Sequence, residues 1–133
     1  MIIPKRRWYV LGGTIVVLTG CSFWFYYSRT VISDNVVDWR GKSEVTVTLT
    51  EQSFQPNVVR ITRGTKVTFT TTRQNQFWPA SNPHPNHSVY PEFDPKQPIQ
   101  SGRSWSFVFD KVGQWGYHDH VRSYFTGTIY VEE

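Results

Sequence analysis

The four histidines of this 133-residue chain fall into two tight pairs, His84 with His87 and His118 with His120. Imidazole is the commonest protein ligand for metals, so the spacing within each pair matters. The stretch from Val112 to His120 reads as a strand that ends in a short loop. Alternate side chains of a strand point to opposite faces. His118 and His120 therefore share one face as a two-pronged metal grip, while Trp115, Tyr117 and Asp119 share the other. One such pair alone could be a solvated strand end, but finding every histidine in two clusters favours a metal site. His84 and His87 lie in a loop stiffened by Pro83 and Pro85, which lowers the entropy lost when the loop is held for binding. The candidate ligands are thus His84, His87, His118 and His120. Asp119, on the inward face, is expected to accept a hydrogen bond from a neighbouring imidazole or from Arg122, or to end as a satisfied carboxylate at the core edge.

Other chemistries find little support. No Ser/His/Asp or Cys/His nucleophile set is visible, and no glycine-rich phosphate loop. Glu92 and Asp94 form a carboxylate pair in a loop, read as solvated or adjacent to the metal. The aromatics Trp78, Trp105, Trp115, Tyr117, Tyr124 and Phe125 read as core and rim packing. An enzymatic role is not indicated by any residue set.

The elements that must position the histidines are strands. Val45, Val47 and Leu49 alternate with Thr46, Thr48 and Thr50, the pattern of a half-buried strand. Residues 58–62 and 66–71 repeat it across the Arg63-Gly64-Thr65 turn, Phe54 and Pro56 mark a crossing, and 104–109 and 127–131 supply two more strands. Between them Gln74–Ser101 carries six prolines and reads as one long loop, because proline cannot donate to a ladder. Loops of such length in compact domains are usually functional. Short strands at this spacing predict an all-β sandwich of Greek-key type.

Ahead of the domain, Lys5-Arg6-Arg7 precede a run from Trp8 to Tyr27 without a charged residue. Such a run spans about 30 Å as a helix, the thickness of a bilayer core, with the basic triplet on the cytoplasmic side. The expected organisation is a basic cytoplasmic segment over 1–7, a single-pass membrane anchor over 8–27, a polar linker over 28–42 and a domain outside the cytoplasm over 43–133. Leu18-Thr19-Gly20-Cys21 offers an alternative, a lipoprotein signal cleaved before a lipidated Cys21. Cys21 is the chain's single cysteine, so the domain has neither disulfide nor thiolate ligand. From Gly41 onward nine Lys/Arg face eight Asp/Glu, which leaves no basic stripe for nucleic acid.

The series Phe54-x-Pro56, Val59-x-Ile61, Gly64-x-x-Val67-x-Phe69, Phe107-x-Phe109, Gly113-x-Trp115-x-Tyr117 and Gly127-Thr128-Ile129 resembles the cupredoxins, plastocyanin-like copper domains, over about ninety residues from Glu44 onward. The resemblance implies a cupredoxin-like Greek-key β-sandwich. It sets the two histidines, the cysteine and the methionine of a blue-copper site at Trp78, Arg122, Asp119 and Phe125, so none of the four is kept. A blue-copper electron carrier is therefore not expected. The run Gly113-Gln114-Trp115-Gly116-Tyr117-His118-Asp119-His120 is similar to the HxH strand end of multicopper oxidase domains, where such histidines face away from the domain's own core as copper ligands. By that resemblance His118 and His120 are copper ligands, and four imidazoles favour copper with zinc second. The implied function is a membrane-tethered extracytoplasmic protein that binds copper for handling or for redox work with a partner. The alternatives are a metal-free scaffold that serves as a protein-binding module, and a subunit of a copper oxidase whose site is completed by a protein partner or a second copy.

Overall fold

The computed structural model describes Val36–Glu133; the expected anchor, the alternative Cys21 signal and most of the expected linker lie outside the described residues. Nine strands follow in chain order: β1 (Val36–Asp38), β2 (Glu44–Leu49), β3 (Phe54–Gln55), β4 (Val58–Thr62), β5 (Lys66–Thr71), β6 (Pro79–Ser81), β7 (Trp105–Val108), β8 (Gly113–Asp119) and β9 (Arg122–Glu132). They form two mixed sheets, β1-β4-β9-β8-β6 and β3-β2-β5-β7. The all-β sandwich expected from the alternating pattern is what forms.

The alternation sets the core. Val45, Val47 and Leu49 of β2, Val59 and Ile61 of β4, and Val67 and Phe69 of β5 are all buried, while the intervening threonines and charged residues line the outer faces. Phe77, Tyr90 and Phe93 from the long loop join this core. Phe93 stacks on Trp105 with ring centroids 5.8 Å apart and nearly parallel planes. The loop is thus bolted to the sandwich by aromatic side chains rather than by a ladder.

Three elements depart from the sequence pattern. Residues 36–42 fall in the expected linker, yet Val36–Asp38 pairs in parallel with β4, and Arg40 bridges Asp38 and Glu132. The segment is too short and polar for a periodic signal, and its pairing is long-range. The proline-rich loop contains β6, which pairs antiparallel with β8 as the sheet edge, where the missing N–H of Pro79 is tolerated. The last strand starts at Arg122 instead of Gly127, because its first residues pair with β8 across a tight turn.

Gly127 marks a close approach. A Cβ at this position would run into the ring of buried Tyr117. Gly127→Ala is expected to cost about 1–3 kcal/mol of stability, the usual range for overpacking a core. A denaturant midpoint equal to that of the wild type would contradict the packing described.

Candidate metal centre

The β8–β9 turn and the long loop meet at one end of the five-stranded sheet. Asp119, fully buried, accepts hydrogen bonds from the Trp78 backbone N–H at 2.7 Å and from Arg122 Nε at 3.2 Å. Arg122 Nη2 also donates to the Gln76 carbonyl at 2.6 Å, and the His120 N–H donates to the Trp78 carbonyl at 2.7 Å. Asp119 therefore fastens the start of the loop to the turn that carries His120. Of its two expected imidazole or Arg122 partners, it takes Arg122.

His118 lies on the face of β8 opposite Tyr117, under the loop. Asn82 reaches it across 36 residues: His118 Nδ1 lies 2.9 Å from Asn82 Oδ1. Gly116 makes room for this amide, since a Cβ there would come 2.7 Å from Asn82 Nδ2. The other ring nitrogen, His118 Nε2, is buried without any hydrogen-bond partner. A buried polar atom left unpaired costs about 1–3 kcal/mol.

His118 belongs to a cluster. His84, His118 and His120 each offer one nitrogen, and the three lie within 4.8 Å of one another. The His84 ring sits 4.5 Å from that of His120 and 5.3 Å from that of His118, centroid to centroid. His118 is buried and His84 is exposed, so the cluster opens to solvent on the His84 side. His87 is buried beside this group but is not a member of it. Its Nε2 lies 2.9 Å from His120 Nδ1, and its Nδ1 lies 2.7 Å from Asp94 Oδ2. The four rings named by sequence are thus neighbours, with three nitrogens poised together and His87 placed against His120.

Asn82 had no sequence signal of its own, and Asp94 only that of the Glu92/Asp94 carboxylate pair. Asn82 precedes the loop histidines as one more polar loop residue, and its role depends on a contact 36 residues away. Asp94 collects four hydrogen bonds: Oδ1 accepts from Trp78 Nε1 and the Lys96 N–H, each at 2.8 Å, and Oδ2 accepts from Lys96 Nζ at 3.0 Å and meets His87 Nδ1. Burial raises the Asp94 pKa, but hydrogen bonds from His87, the Lys96 backbone, Trp78 and the Lys96 side chain outweigh it, so the carboxyl stays ionised far below the usual range. Glu92 is the solvated member of the pair and bridges to Lys111. Trp78 forms a wall of the site, its ring 4.4 Å from that of His120. Of the other aromatics, Tyr117 and Phe125 are buried and Trp105 and Trp115 pack on the core, whereas Tyr124 is 72% exposed and lies against Phe125 at the rim, ring centroids 4.5 Å apart.

Burial, and then the neighbouring His87, His84 and His120, push the His118 pKa down from 6.5 to about 4. Burial lowers that of His120 as well, with His87 and His84 adding to it. Both imidazoles are therefore neutral and able to ligate at neutral pH. Below 6.5 an unfolded histidine takes up a proton, while His118 in the fold resists until about 4. The unfolded state then binds more protons, so stability falls as pH drops through this window. Urea midpoints of the metal-free protein should decline between these two pH values, and a flat profile would contradict the buried, neutral His118.

No family model matches the sequence, and no curated protein is significantly similar to it. Solved structures are similar in fold. A copper-containing nitrite reductase from Thermus scotoductus SA-01 matches with a TM-score of 0.55 and 24% identity over 68% of this chain. The match takes in only 22% of the reductase, so the described fold corresponds to about one fifth of that protein. A purple cupredoxin from Nitrosopumilus maritimus matches at 0.58 and 18% identity, over 66% of this chain and 99% of its own. A reduced amicyanin variant matches at 0.58 and 16% identity, over 69% and 85%. The domain is a cupredoxin-like β-sandwich. The donor set fits a metal ion: one nitrogen each of His84, His118 and His120 lies within 4.8 Å of the others, and His118 Nε2 is buried without a hydrogen-bond partner. Among the described residues there is no cysteine, so a thiolate centre does not fit.

Proposed function

We propose that this protein binds a single copper ion through His84, His118 and His120, as a membrane-tethered extracytoplasmic copper-handling protein. The observation that carries this reading is the convergence of one nitrogen each from His84, His118 and His120 within 4.8 Å, in a group whose buried member leaves its Nε2 without a hydrogen-bond partner. A copper ion held there would supply a one-electron couple. The chain's own residues do the rest. His118 and Asn82 give a rigid inner donor, and Trp78 packs against His120 and shields it. His84 on the exposed side gives an entry and exit route, which suits loading and delivery to a partner better than permanent storage. The uncharged run over 8–27 behind Lys5-Arg6-Arg7 supports a tether to the membrane, with Cys21 as the alternative point of anchorage.

Titration of the full-length chain tests the reading. One Cu(II) per chain is expected to bind, more tightly than Zn(II), as imidazole sites follow the Irving–Williams order. Failure of both ions to bind would leave a metal-free scaffold for protein binding as the better reading.

A further inference from the structure

We infer that His87 is a positioning residue rather than a fourth ligand, and that the Asp94 carboxylate acts through it to keep the metal-facing nitrogen of His120 free of its proton. The inference rests on the copper-site reading above and extends it to residues behind the ligands. The hydrogen bonds run in one line. Asp94 Oδ2 meets His87 Nδ1 at 2.7 Å, and His87 Nε2 meets His120 Nδ1 at 2.9 Å. A carboxylate can only accept, so His87 Nδ1 carries a proton, and in the tautomer with one ring proton Nε2 is the acceptor for His120. His120 then carries its own proton on Nδ1, which leaves Nε2 as a lone pair for a metal. His118 repeats the arrangement with a different partner: Nδ1 is bound to Asn82 Oδ1, and Nε2 is bare. In metal sites the second ring nitrogen of a ligand is commonly held by a carboxylate or carbonyl, which fixes tautomer and orientation. His120 receives that hold from an imidazole backed by a carboxylate.

Further observations support this assignment. His87 stands outside the three-nitrogen group. Its φ of 52° is left-handed, a conformation uncommon in non-glycine residues and typical of places where surrounding structure holds a residue for function. The His87 N–H is tied to the Pro83 carbonyl at 2.9 Å, so the loop closes a turn that aims the ring at His120. Asp94 also holds the Trp78 indole that packs on His120. One carboxylate thus orients both neighbours of that ligand.

Asp94→Asn is a sharp probe because the orientation of the new amide is dictated. The Trp78 Nε1 and Lys96 N–H donors at Oδ1 are fixed by the fold, whereas the Lys96 Nζ donor at Oδ2 sits on an exposed side chain free to swing away, so the amide oxygen stays on the Oδ1 side and the NH2 turns toward His87. His87 Nδ1 must then accept, its proton moves to Nε2, and His120 in turn must carry its proton on Nε2, where the metal binds.

The test is side-chain 15N NMR of histidine-labelled full-length chain, with four imidazoles to assign. In metal-free wild type, His87, His118 and His120 should be protonated on Nδ1. On zinc loading, one nitrogen of His84, His118 and His120 should shift while both nitrogens of His87 keep their metal-free values. In D94N the protons of His87 and His120 should move to Nε2, and copper affinity should fall by about 10–100-fold, the usual loss for an outer partner of a ligand. A zinc-induced shift on His87 makes it a ligand and overturns the inference. So does a wild-type His87 protonated on Nε2, or an unchanged His120 tautomer in D94N. The two wild-type measurements need no variant and decide the question even if D94N does not fold. Failure of wild type to bind zinc or copper would instead overturn the copper-site reading, a result distinct from metal binding with His87 among the ligands.

Discussion

Replacing His118 by alanine is expected to abolish high-affinity copper binding, with a loss exceeding the roughly 10–100-fold that follows removal of an outer partner. His118 is the cluster member with a buried ring nitrogen that has no hydrogen-bond partner. The metal-free domain should still fold. The variant loses a buried ring but also loses an unpaired nitrogen that costs about 1–3 kcal/mol, so the two terms oppose each other, and the apolar core does not include the residue. The difference between the proteins should appear when metal is added. A ligand that binds only the folded state stabilises it by about 2.7 kcal/mol at 100 times its Kd, so excess copper should raise the thermal midpoint of the wild type and leave that of His118→Ala unchanged. An equal rise in both would remove His118 from the site.

The second large effect is spectroscopic. The intense visible band of a blue-copper protein comes from thiolate-to-copper charge transfer, and thiolate ligation defines that site. At the place where the resemblance sets the cysteine stands Asp119, fully buried and bound to Trp78 and Arg122, with its oxygens committed to structure. The Cu(II) protein should be pale, with the weak ligand-field absorption of an imidazole site. Introducing the thiolate by Asp119→Cys should not restore a blue centre, since the substitution also frees Arg122 and the Trp78 N–H and so loosens the turn that holds His120. A strong visible band in the wild type would mean that a thiolate reaches the metal and that the ligand set proposed is wrong.

The residues that declare themselves in the sequence are those with periodic neighbours. Val45, Val47 and Leu49 announce β2 because each lies two positions from the next, and the same rule places His118 on the face away from Tyr117. The HxH pair was legible for this reason. Strand β6 was hidden, because Pro79-Ala80-Ser81 has no alternation and owes its existence to pairing with β8. Strand β1 was hidden likewise within an apparent linker. Asn82 and Asp94 are ordinary loop residues until the chain folds and sets them against His118 and His87. Along the chain Glu92 and Asp94 read as one carboxylate pair, solvated or adjacent to the metal, yet the two separate completely: Glu92 meets Lys111 at the surface, and the Asp94 carboxylate is held by four donors beside the histidines. Spacing along the chain carries the pattern of a strand. It carries nothing about which loop residue will close over it.

Electron paramagnetic resonance of the full-length protein loaded with one equivalent of Cu(II) tests the central claim most directly. The account predicts a single type 2 copper signal with nitrogen couplings from three imidazoles, reduced in number when His84 or His120 is replaced, lost when His118 is, and unchanged in number when His87 is. A spectrum of unbound or nonspecific copper, or one whose nitrogen couplings survive removal of His118, would contradict it.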